Sequence, residues 1–268
     1  MKKKLIAVGV AAMRAEPSGK SELVSQAILN TSVVILDHST SGWCMVQTPD
    51  QYQGWIEDRD MTDWDESSDP QKRMEESQIV QALWTFVRSA PNLSSPARVE
   101  VVRGSRLIVN EQIKDWVSVS LPSRPLDKIG GYIPKKAFRD MIRPSLADKI
   151  VADARDCLGI SYLWGGSTPK GFDCSGLTQA VFLWNRIPLP RDASQQAKIG
   201  KFVRPDPDYG NLLPGDLIFF GPTDEKINHV ALSIGSRDYI HAGACVEFGR
   251  LSSDKQPRLI KRIVPDFI

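Results

Sequence analysis

The sequence predicts an α+β protein in which two small β-barrels precede a larger α+β domain. The chain has 268 residues, which is more than one typical domain holds. Its first half repeats one order of short β-rich runs and turn residues. Its second half changes to helical apolar spacing followed by several strands. We therefore place one barrel at residues 1–64, a linker at 65–78, a second barrel at 79–143 and the α+β domain at 144–268.

The repeat in the first half concerns the order of four features. Each segment has an arginine, a proline-containing turn, a tryptophan flanked by alternating apolar residues, and an exit of glycine, an aromatic residue and isoleucine. These are Arg14, Pro17, Trp43 and residues 54–56 in the first segment, and Arg88, Pro91, Trp116 and residues 131–133 in the second. Self-similarity on this scale predicts tandem barrels of about five or six short strands, with the tryptophans in their cores.

Composition excludes several classes of partner. Basic residues number 34 and acidic residues 32, so the formal net charge is only +2. This balance argues against nucleic acid or an anionic membrane surface as a partner. The apolar fraction of 41% is ordinary for a globular chain. No stretch approaches the roughly 20 apolar residues of a membrane-spanning helix.

The N-terminus allows two interpretations. Three lysines precede an apolar run, a pattern that can open a secretory signal. That run extends only from Leu5 to Met13 and then meets Arg14, and it also fits the first strand of a barrel. We expect a cytoplasmic protein, with a periplasmic or secreted one as the alternative.

A predicted helix in the second half places a cysteine at its N-terminus. The α+β domain opens with one helix capped by Ser145. A later polar turn, Asp-Cys-Ser-Gly at residues 173–176, leads directly into an apolar helical pattern that stops before Pro188. Unpaired backbone amides and the helix dipole at this end favour a negative charge, so we expect the pKa of Cys174 to be lowered. A thiolate nucleophile also needs a base nearby.

Two histidines on consecutive predicted strands are the candidates for that base. Along one predicted strand, His229 and every second residue after it alternate with large apolar residues. A turn at residues 235–238 leads to a second strand that contains His241. Matching the apolar faces puts both imidazoles on the same side of the hairpin. His229 can then accept the proton of Cys174 while His241 orients His229, as in other triads of nucleophile, base and orienting group.

The cysteines and histidines also allow a disulfide framework or a zinc site. The four cysteines are Cys44, Cys157, Cys174 and Cys245. They form no close pair, which favours one reactive thiol and three buried structural ones over a disulfide framework. A zinc site built from Cys174, His229 and His241 lacks a fourth ligand and the usual ligand spacing. We therefore expect neither a metal nor an organic cofactor.

Six motifs of the second half resemble one family when taken in order. They are YLWGG (162–166), FDCSG (172–176), LPRDASQQ (189–196), LLPGDLIFF (212–220), HVALSIG (229–235) and YIHAG (239–243). Together they resemble the NlpC-type family of papain-like cysteine peptidases, which hydrolyse bacterial cell-wall peptides. The resemblance implies a papain-like catalytic domain with Cys174 as nucleophile, His229 as general base and His241 as orienting group. It also implies that Tyr162 and the Cys174 amide stabilise the oxyanion, with simple packing as the alternative for Tyr162.

A narrower resemblance concerns the first barrel. SELVSQAIL (21–29) and DQYQGW (50–55) are similar to the bacterial SH3 domain of the γ-D-glutamyl-L-diamino-acid endopeptidases, also called dipeptidyl-peptidase VI. The resemblance implies SH3-like barrels and a pocket for a free N-terminal L-alanine. Its implied substrate-binding residues are Glu22, Tyr52, Asp173, Ser175 and Ser194. Two carboxylates around a closed pocket favour an ammonium group, although Glu22 and Tyr52 also fit a solvated charge and a surface aromatic.

These resemblances imply a thiol protease of bacterial cell-wall recycling. Its substrate would be a small murein peptide, L-Ala-γ-D-Glu-diamino acid, cut at the γ-D-glutamyl–diamino-acid bond. We expect a monomer that binds no nucleic acid and does not span a membrane. The alternatives are an exported, less selective peptidoglycan hydrolase and a wall-binding module with an inactive peptidase domain. A related acyltransferase or amidase activity is a further alternative.

Overall fold

The structure is a computed structural model that describes residues 2–63, 77–122, 130–139 and 145–264. The chain divides into two compact units, Met1–Asp140 and Met141–Ile268. Most of the predicted linker, 65–78, and most of the stretch between Leu121 and Gly131 lie outside the described residues. The boundary predicted between residues 143 and 144 lies outside them as well, so the domain limits stay predictions.

The first unit contains two antiparallel sheets. The strands of the first sheet are β1 (Lys3–Ile6), β2 (Val10–Arg14), β3 (Leu23–Ile28), β4 (Ser32–Asp37), β5 (Trp43–Gln47), β6 (Gln53–Glu57) and β7 (Met61–Asp63). They lie in the order β3-β2-β6-β5-β4-β1-β7. The apolar N-terminal run therefore forms strands, in agreement with the interpretation as part of a barrel. In most of these strands every second residue faces a core of aliphatic side chains that includes Ile6, Met13 and Ile56.

The second sheet of this unit has six strands. They are β8 (Ser77–Ile79), β9 (Trp84–Arg88), β10 (Ala97–Val102), β11 (Arg106–Ile113), β12 (Trp116–Ser120) and β13 (Gly130–Pro134), in the order β10-β9-β13-β12-β11-β8. Its core is also aliphatic. Trp43, Trp55 and Trp116 are only half-buried. The prediction that they form the barrel cores is therefore wrong, because branched aliphatic residues fill the space between the short strands.

The internal repeat is visible in hydrogen bonds. Nη1 of Arg14 donates to the carbonyl oxygen of Ser21 at 2.8 Å, and Nη1 of Arg88 donates to the carbonyl oxygen of Ser95 at 2.6 Å. Each serine hydroxyl in turn accepts from a backbone amide within its own loop, at 2.9 and 3.3 Å. One arginine-braced loop thus recurs in both sheets, as the sequence repeat predicts.

The second unit combines helices with a six-stranded sheet. Its helices are α1 (Leu146–Asp156), α2 (Cys174–Trp184) and the single turn α3 (Ala193–Gln196). Its strands are β14 (Ser167–Thr168), β15 (Gly171–Phe172), β16 (Lys201–Phe202), β17 (Asp216–Phe220), β18 (His229–Gly235), β19 (Asp238–Ala242), β20 (Val246–Arg250) and β21 (Leu259–Arg262). The antiparallel sheet has the order β16-β21-β17-β18-β19-β20, and β14 pairs with β15. The predicted α+β class is confirmed.

Helix α2 is the central element of this unit. All its residues except Leu183 are buried, which is typical of a helix enclosed by its own domain. Helix α1 begins at the predicted N-cap, since the Ser145 hydroxyl accepts from the Asp148 amide at 3.1 Å. In the described part of the chain, no helix has the length and apolar character needed to cross a membrane.

Candidate active site

The start of helix α2 is held by a buried carboxylate. Asp173 is the N-cap: its Oδ1 accepts from the Gly176 amide at 2.7 Å, and its Oδ2 accepts from the Gly165 amide at 3.0 Å. A Cβ on Gly176 would lie 2.0 Å from the carbonyl oxygen of Gly166, so only glycine allows this approach of loop and helix. Cys174 is therefore the first residue of α2, at the helix terminus where the sequence places it.

Arg191 completes this cap. Its Nη2 lies 2.6 Å from Oδ2 of Asp173, and its Nη1 donates to Oδ1 of Asp173 at 3.1 Å and to the Ser175 hydroxyl at 3.0 Å. Only 2% of Arg191 is exposed. A two-pronged pair buried this deeply fixes the loop that carries Arg191 against the helix. Asp173 thus has structural partners on both oxygens, and its predicted contact with a substrate amine stays a prediction.

A polar network that the sequence does not predict lies beside this pair. Nε2 of Gln196 donates to the carbonyl oxygens of Ser175 and Pro190, at 3.0 and 2.8 Å. The Thr178 hydroxyl donates to Oε1 of Gln196 at 2.8 Å. Both side chains are fully buried. The only signal in the sequence is the polar run 191–196, whose glutamines would otherwise belong on the surface.

The environment of Cys174 differs from the sequence expectation. Only 8% of the residue is exposed. Burial raises the pKa of the Cys174 thiol, and hydrogen bonds from the Val230 and Ser175 amides offset this only in part. The expectation of a lowered pKa is therefore wrong, because desolvation of the thiolate outweighs the helix terminus. The thiol is neutral at neutral pH in this state.

The two histidines meet as predicted. They lie on the paired strands β18 and β19, and Nε2 of His229 is 2.9 Å from Nδ1 of His241. Their rings are perpendicular, with centroids 5.0 Å apart. The amide of Val230, the residue after His229, is one of the two that donate to the Cys174 sulfur. The fold thus brings the start of α2 and the start of β18 together, although the two motifs are far apart in the sequence.

Both imidazoles are kept neutral. Burial lowers the pKa of His229 to about 4, with further lowering by His241 and Lys255. Burial and Lys255 lower the pKa of His241 to about 4 as well. The Phe220 ring lies 5.8 Å from the ring of His229, and the Tyr239 ring lies 5.3 Å from that of His241. An aromatic wall therefore desolvates the pair, and at neutral pH each ring can still accept a proton.

Tyr162 lies near the thiol. Its amide donates to the carbonyl oxygen of Ala244 at 3.0 Å, and it forms a β-bridge with Phe172. Burial raises the pKa of the Tyr162 phenol, and a thiolate at Cys174 would raise it further, so the phenol keeps its proton and can donate a hydrogen bond. This is the property an oxyanion-stabilising group needs, and the role stays a prediction.

The remaining predicted residues are spread over both units. Ser175 is buried, and its hydroxyl donates to Oδ1 of Asp173 at 3.3 Å. Ser194 is exposed on α3. In the first unit, Glu22 is exposed beside β3, whereas Tyr52 packs against the core of the first sheet. The substrate-binding roles of these residues stay predictions.

The other three cysteines are free thiols. Cys44 and Cys157 are buried and reduced, as expected, whereas Cys245 is reduced but only half-buried. Over the described ranges, no group of three or more histidine, cysteine or acidic side chains is placed to hold a metal ion.

Comparisons with known proteins agree with this geometry. Residues 159–259 match the model of the NlpC/P60 family, and residues 13–61 match the bacterial dipeptidyl-peptidase SH3 domain. The resemblance inferred from the six motifs is thus confirmed. The second unit carries an NlpC/P60 cysteine peptidase domain, and the first contains a dipeptidyl-peptidase SH3 domain at residues 13–61.

Three similar proteins extend over most of the chain. Dipeptidyl-peptidase 6 of Lysinibacillus sphaericus is 26% identical over 243 residues, covering 87% of this chain and 84% of that protein. The γ-D-glutamyl-L-lysine dipeptidyl-peptidase of Bacillus cereus is 29% identical over 235 residues, covering 83% and 68%. A solved NlpC/P60 family protein from Bacillus cereus has a TM-score of 0.83 at 22% identity, covering 98% of this chain and all of that one. The predicted fold of SH3-like barrels followed by a papain-like α+β domain is thereby confirmed.

Proposed function

We propose that the protein is a dipeptidyl-peptidase that hydrolyses the γ-D-glutamyl–diamino-acid bond of murein peptides with a free N-terminal L-alanine. The observation that carries the proposal is the hydrogen-bonded pair His229–His241 next to a buried cysteine at a helix N-terminus. The dipeptidyl-peptidase SH3 domain at residues 13–61 supports the narrower substrate class, as do the names of the two similar enzymes.

The proposed reaction is acyl transfer through a thioester. Neutral His229 takes the proton from the Cys174 thiol as the sulfur attacks the γ-carbonyl carbon. The Cys174 amide and the Tyr162 hydroxyl stabilise the oxyanion. The imidazolium of His229 then gives its proton to the amine of the departing diamino acid. Water, deprotonated by His229, cleaves the thioester, releases L-Ala-γ-D-Glu and restores the thiol.

The proposed specificity comes from the free amine of the substrate. Glu22 and Tyr52 would bind the N-terminal ammonium of the substrate, and Ser175 and Ser194 are further candidates for substrate binding. A site for a free amine accepts released peptides and rejects L-alanine that is still linked to the wall. This selectivity fits the recycling of murein peptides by a monomeric cytoplasmic enzyme.

Replacing the nucleophile tests the reaction. Cys174→Ala should abolish release of L-Ala-γ-D-Glu from L-Ala-γ-D-Glu-diaminopimelate, because it removes the sulfur that attacks the γ-carbonyl carbon. Mass spectrometry of the products identifies the bond that is cut. Cys245→Ala is the matched control and should keep full activity. A Cys174→Ala variant that still releases the dipeptide would contradict the mechanism.

Blocking the substrate amine tests the specificity. Acetylation of the N-terminal alanine should reduce kcat/KM by at least about 100-fold, because it removes the charge and adds bulk in a closed pocket. Glu22→Gln should raise KM for the free peptide about tenfold or more, whereas Glu16→Gln, at another exposed acid of the same connection between β2 and β3, should not. Equal cleavage of free and acetylated peptides, or rapid release of fragments from intact peptidoglycan, would favour the exported hydrolase instead.

A further inference from the structure

The histidine pair continues to a carboxylate outside the predicted triad. Glu247 lies on β20, directly opposite His241 of β19 in the antiparallel register. Its Oε1 is 3.8 Å from Nε2 of His241, and 45% of its side chain is exposed. This is too long for a direct hydrogen bond, but a carboxylate at this distance still interacts electrostatically with a ring N–H or through one water. The order of groups is therefore Glu247, His241, His229.

A glycine makes the space for this carboxylate. A Cβ on Gly243 would lie 2.2 Å from Oε1 of Glu247 and 3.1 Å from Cε1 of His241. Gly243 does not have a positive φ, so its backbone conformation does not require glycine. Glycine at this position is instead explained by the room that the Glu247 carboxylate and the His241 ring need.

The arrangement bears on a choice between two neutral tautomers. One proton lies between Nε2 of His229 and Nδ1 of His241. If His241 holds it, His229 must carry its own proton on Nδ1 and cannot accept another there. If His229 holds it, Nδ1 of His229 is free and His241 is protonated on Nε2. Only the second state leaves His229 a nitrogen with which to deprotonate the thiol.

We propose that Glu247 is a positioning residue that selects the catalytically competent tautomer of His229 through His241. A carboxylate opposite Nε2 of His241 favours an N–H at that nitrogen, which leaves Nδ1 of His241 as an acceptor for the Nε2–H of His229. The Tyr239 ring also contacts His241, and the Lys255 ammonium lies over that ring. Neither offers an acceptor to Nε2. The inference rests on the proposed role of His229 as general base.

The test combines ring-nitrogen NMR with kinetics. The chain has only three histidines, and exposed His38 in the first unit serves as a reference in ¹⁵N-labelled protein. Near neutral pH, the native protein should show both His229 and His241 protonated on Nε2. Glu247→Ala should give a mixture of tautomers and lower kcat about tenfold, with KM unchanged. Gly243→Ala should do the same, because the new methyl group displaces the carboxylate.

A matched control separates this role from loss of charge or local packing. Asp238→Ala removes another partly exposed carboxylate from the same hairpin, where it pairs with Arg250 at 2.6 Å, and should leave both tautomers and kcat unchanged. A native protein with His241 protonated on Nδ1, or a Glu247→Ala variant with native tautomers and native kcat, would overturn the inference. If the native protein cut no murein peptide, the proposed function would fail while the NMR result would still decide the role of Glu247.

Discussion

At the scale of single residues, desolvation decides the protonation of the site. Cys174 lies at a helix N-terminus and accepts hydrogen bonds from amides, yet its pKa is raised because the thiolate would lose its water. Burial also lowers the pKa values of His229 and His241, because their imidazolium forms would lose water. The free protein thus holds a neutral thiol beside neutral imidazoles, so proton transfer has to accompany the attack of the sulfur.

This protonation state predicts an activity profile extended toward acid. Because the pKa of His229 is about 4, the acid limb of kcat/KM should lie well below the ordinary histidine value of 6.5. Lys255→Met should move this limb to higher pH, because the ammonium contributes to the lowering of both histidines. Initial rates on the tripeptide between pH 3.5 and 8 measure the shift.

A suitable control for this profile is Lys198→Met, which removes an exposed lysine that is not among the groups lowering either histidine. Its profile should coincide with the native one. An acid limb near pH 6.5 in the native enzyme, or a Lys255→Met profile identical to it, would contradict the role assigned to burial and to this lysine.

At the scale of secondary structure elements, the cap of α2 joins two parts of the chain. Asp173 both caps the helix and pairs with buried Arg191. The sequence predicts the helix and its first residue from the polar turn and the apolar pattern that follows. It does not predict the pair, since Arg191 comes from a loop beyond the helix and only the folded chain brings it back to the cap.

This double role predicts a large loss of stability in one variant. Asp173→Ala removes a helix cap and leaves the buried Arg191 without its carboxylate, so the free energy of unfolding should fall by about 3–5 kcal/mol. Asp238→Ala breaks an ion pair whose arginine is largely exposed and whose carboxylate is partly exposed, and should cost less than about 1 kcal/mol. Denaturant unfolding of the second unit, followed by circular dichroism, measures both. Similar losses in the two variants would contradict the account.

In the hairpin β18–β19, the periodicity of apolar residues alone predicts which face carries the histidines. Side chains alternate between the faces of a strand, so apolar residues on one face place His229 and His241 on the other. The observed nitrogen–nitrogen distance of 2.9 Å agrees with that prediction. The alternation does not predict the position of Glu247. The pairing of β20 with β19 depends on the connection through residues 243–245, and the alternation does not specify the geometry of that connection.

At the scale of the whole molecule, the buried histidines link stability to pH. Above pH 6.5 they are neutral in both the folded and the unfolded chain. As the pH falls from 6.5 to about 4, the unfolded chain binds protons that the folded chain cannot, so the free energy of unfolding decreases; below about 4 the loss is complete.

The variant H229Q/H241Q should therefore lose less stability than the native protein between pH 7.5 and pH 4.5. Urea unfolding at several pH values measures the difference, and titrating carboxylates common to both proteins cancel in the comparison. His38→Gln, at an exposed position, should follow the native protein. Parallel curves for the native protein and the double variant would show that these two histidines remain accessible to protons in the folded state.

Local patterns in the chain were enough to predict the barrel repeat, the α+β class of the second unit, the nucleophile helix and the facing histidines. Each depends on periodicity, turn residues or caps within a short stretch of sequence. The direction of the thiol pKa, the Asp173–Arg191 pair, the Gln196 network and the position of Glu247 appeared only in the folded chain. The burial of a side chain and the charges around it depend on residues that are far apart in sequence. Only the tertiary structure determines which of those residues become neighbours.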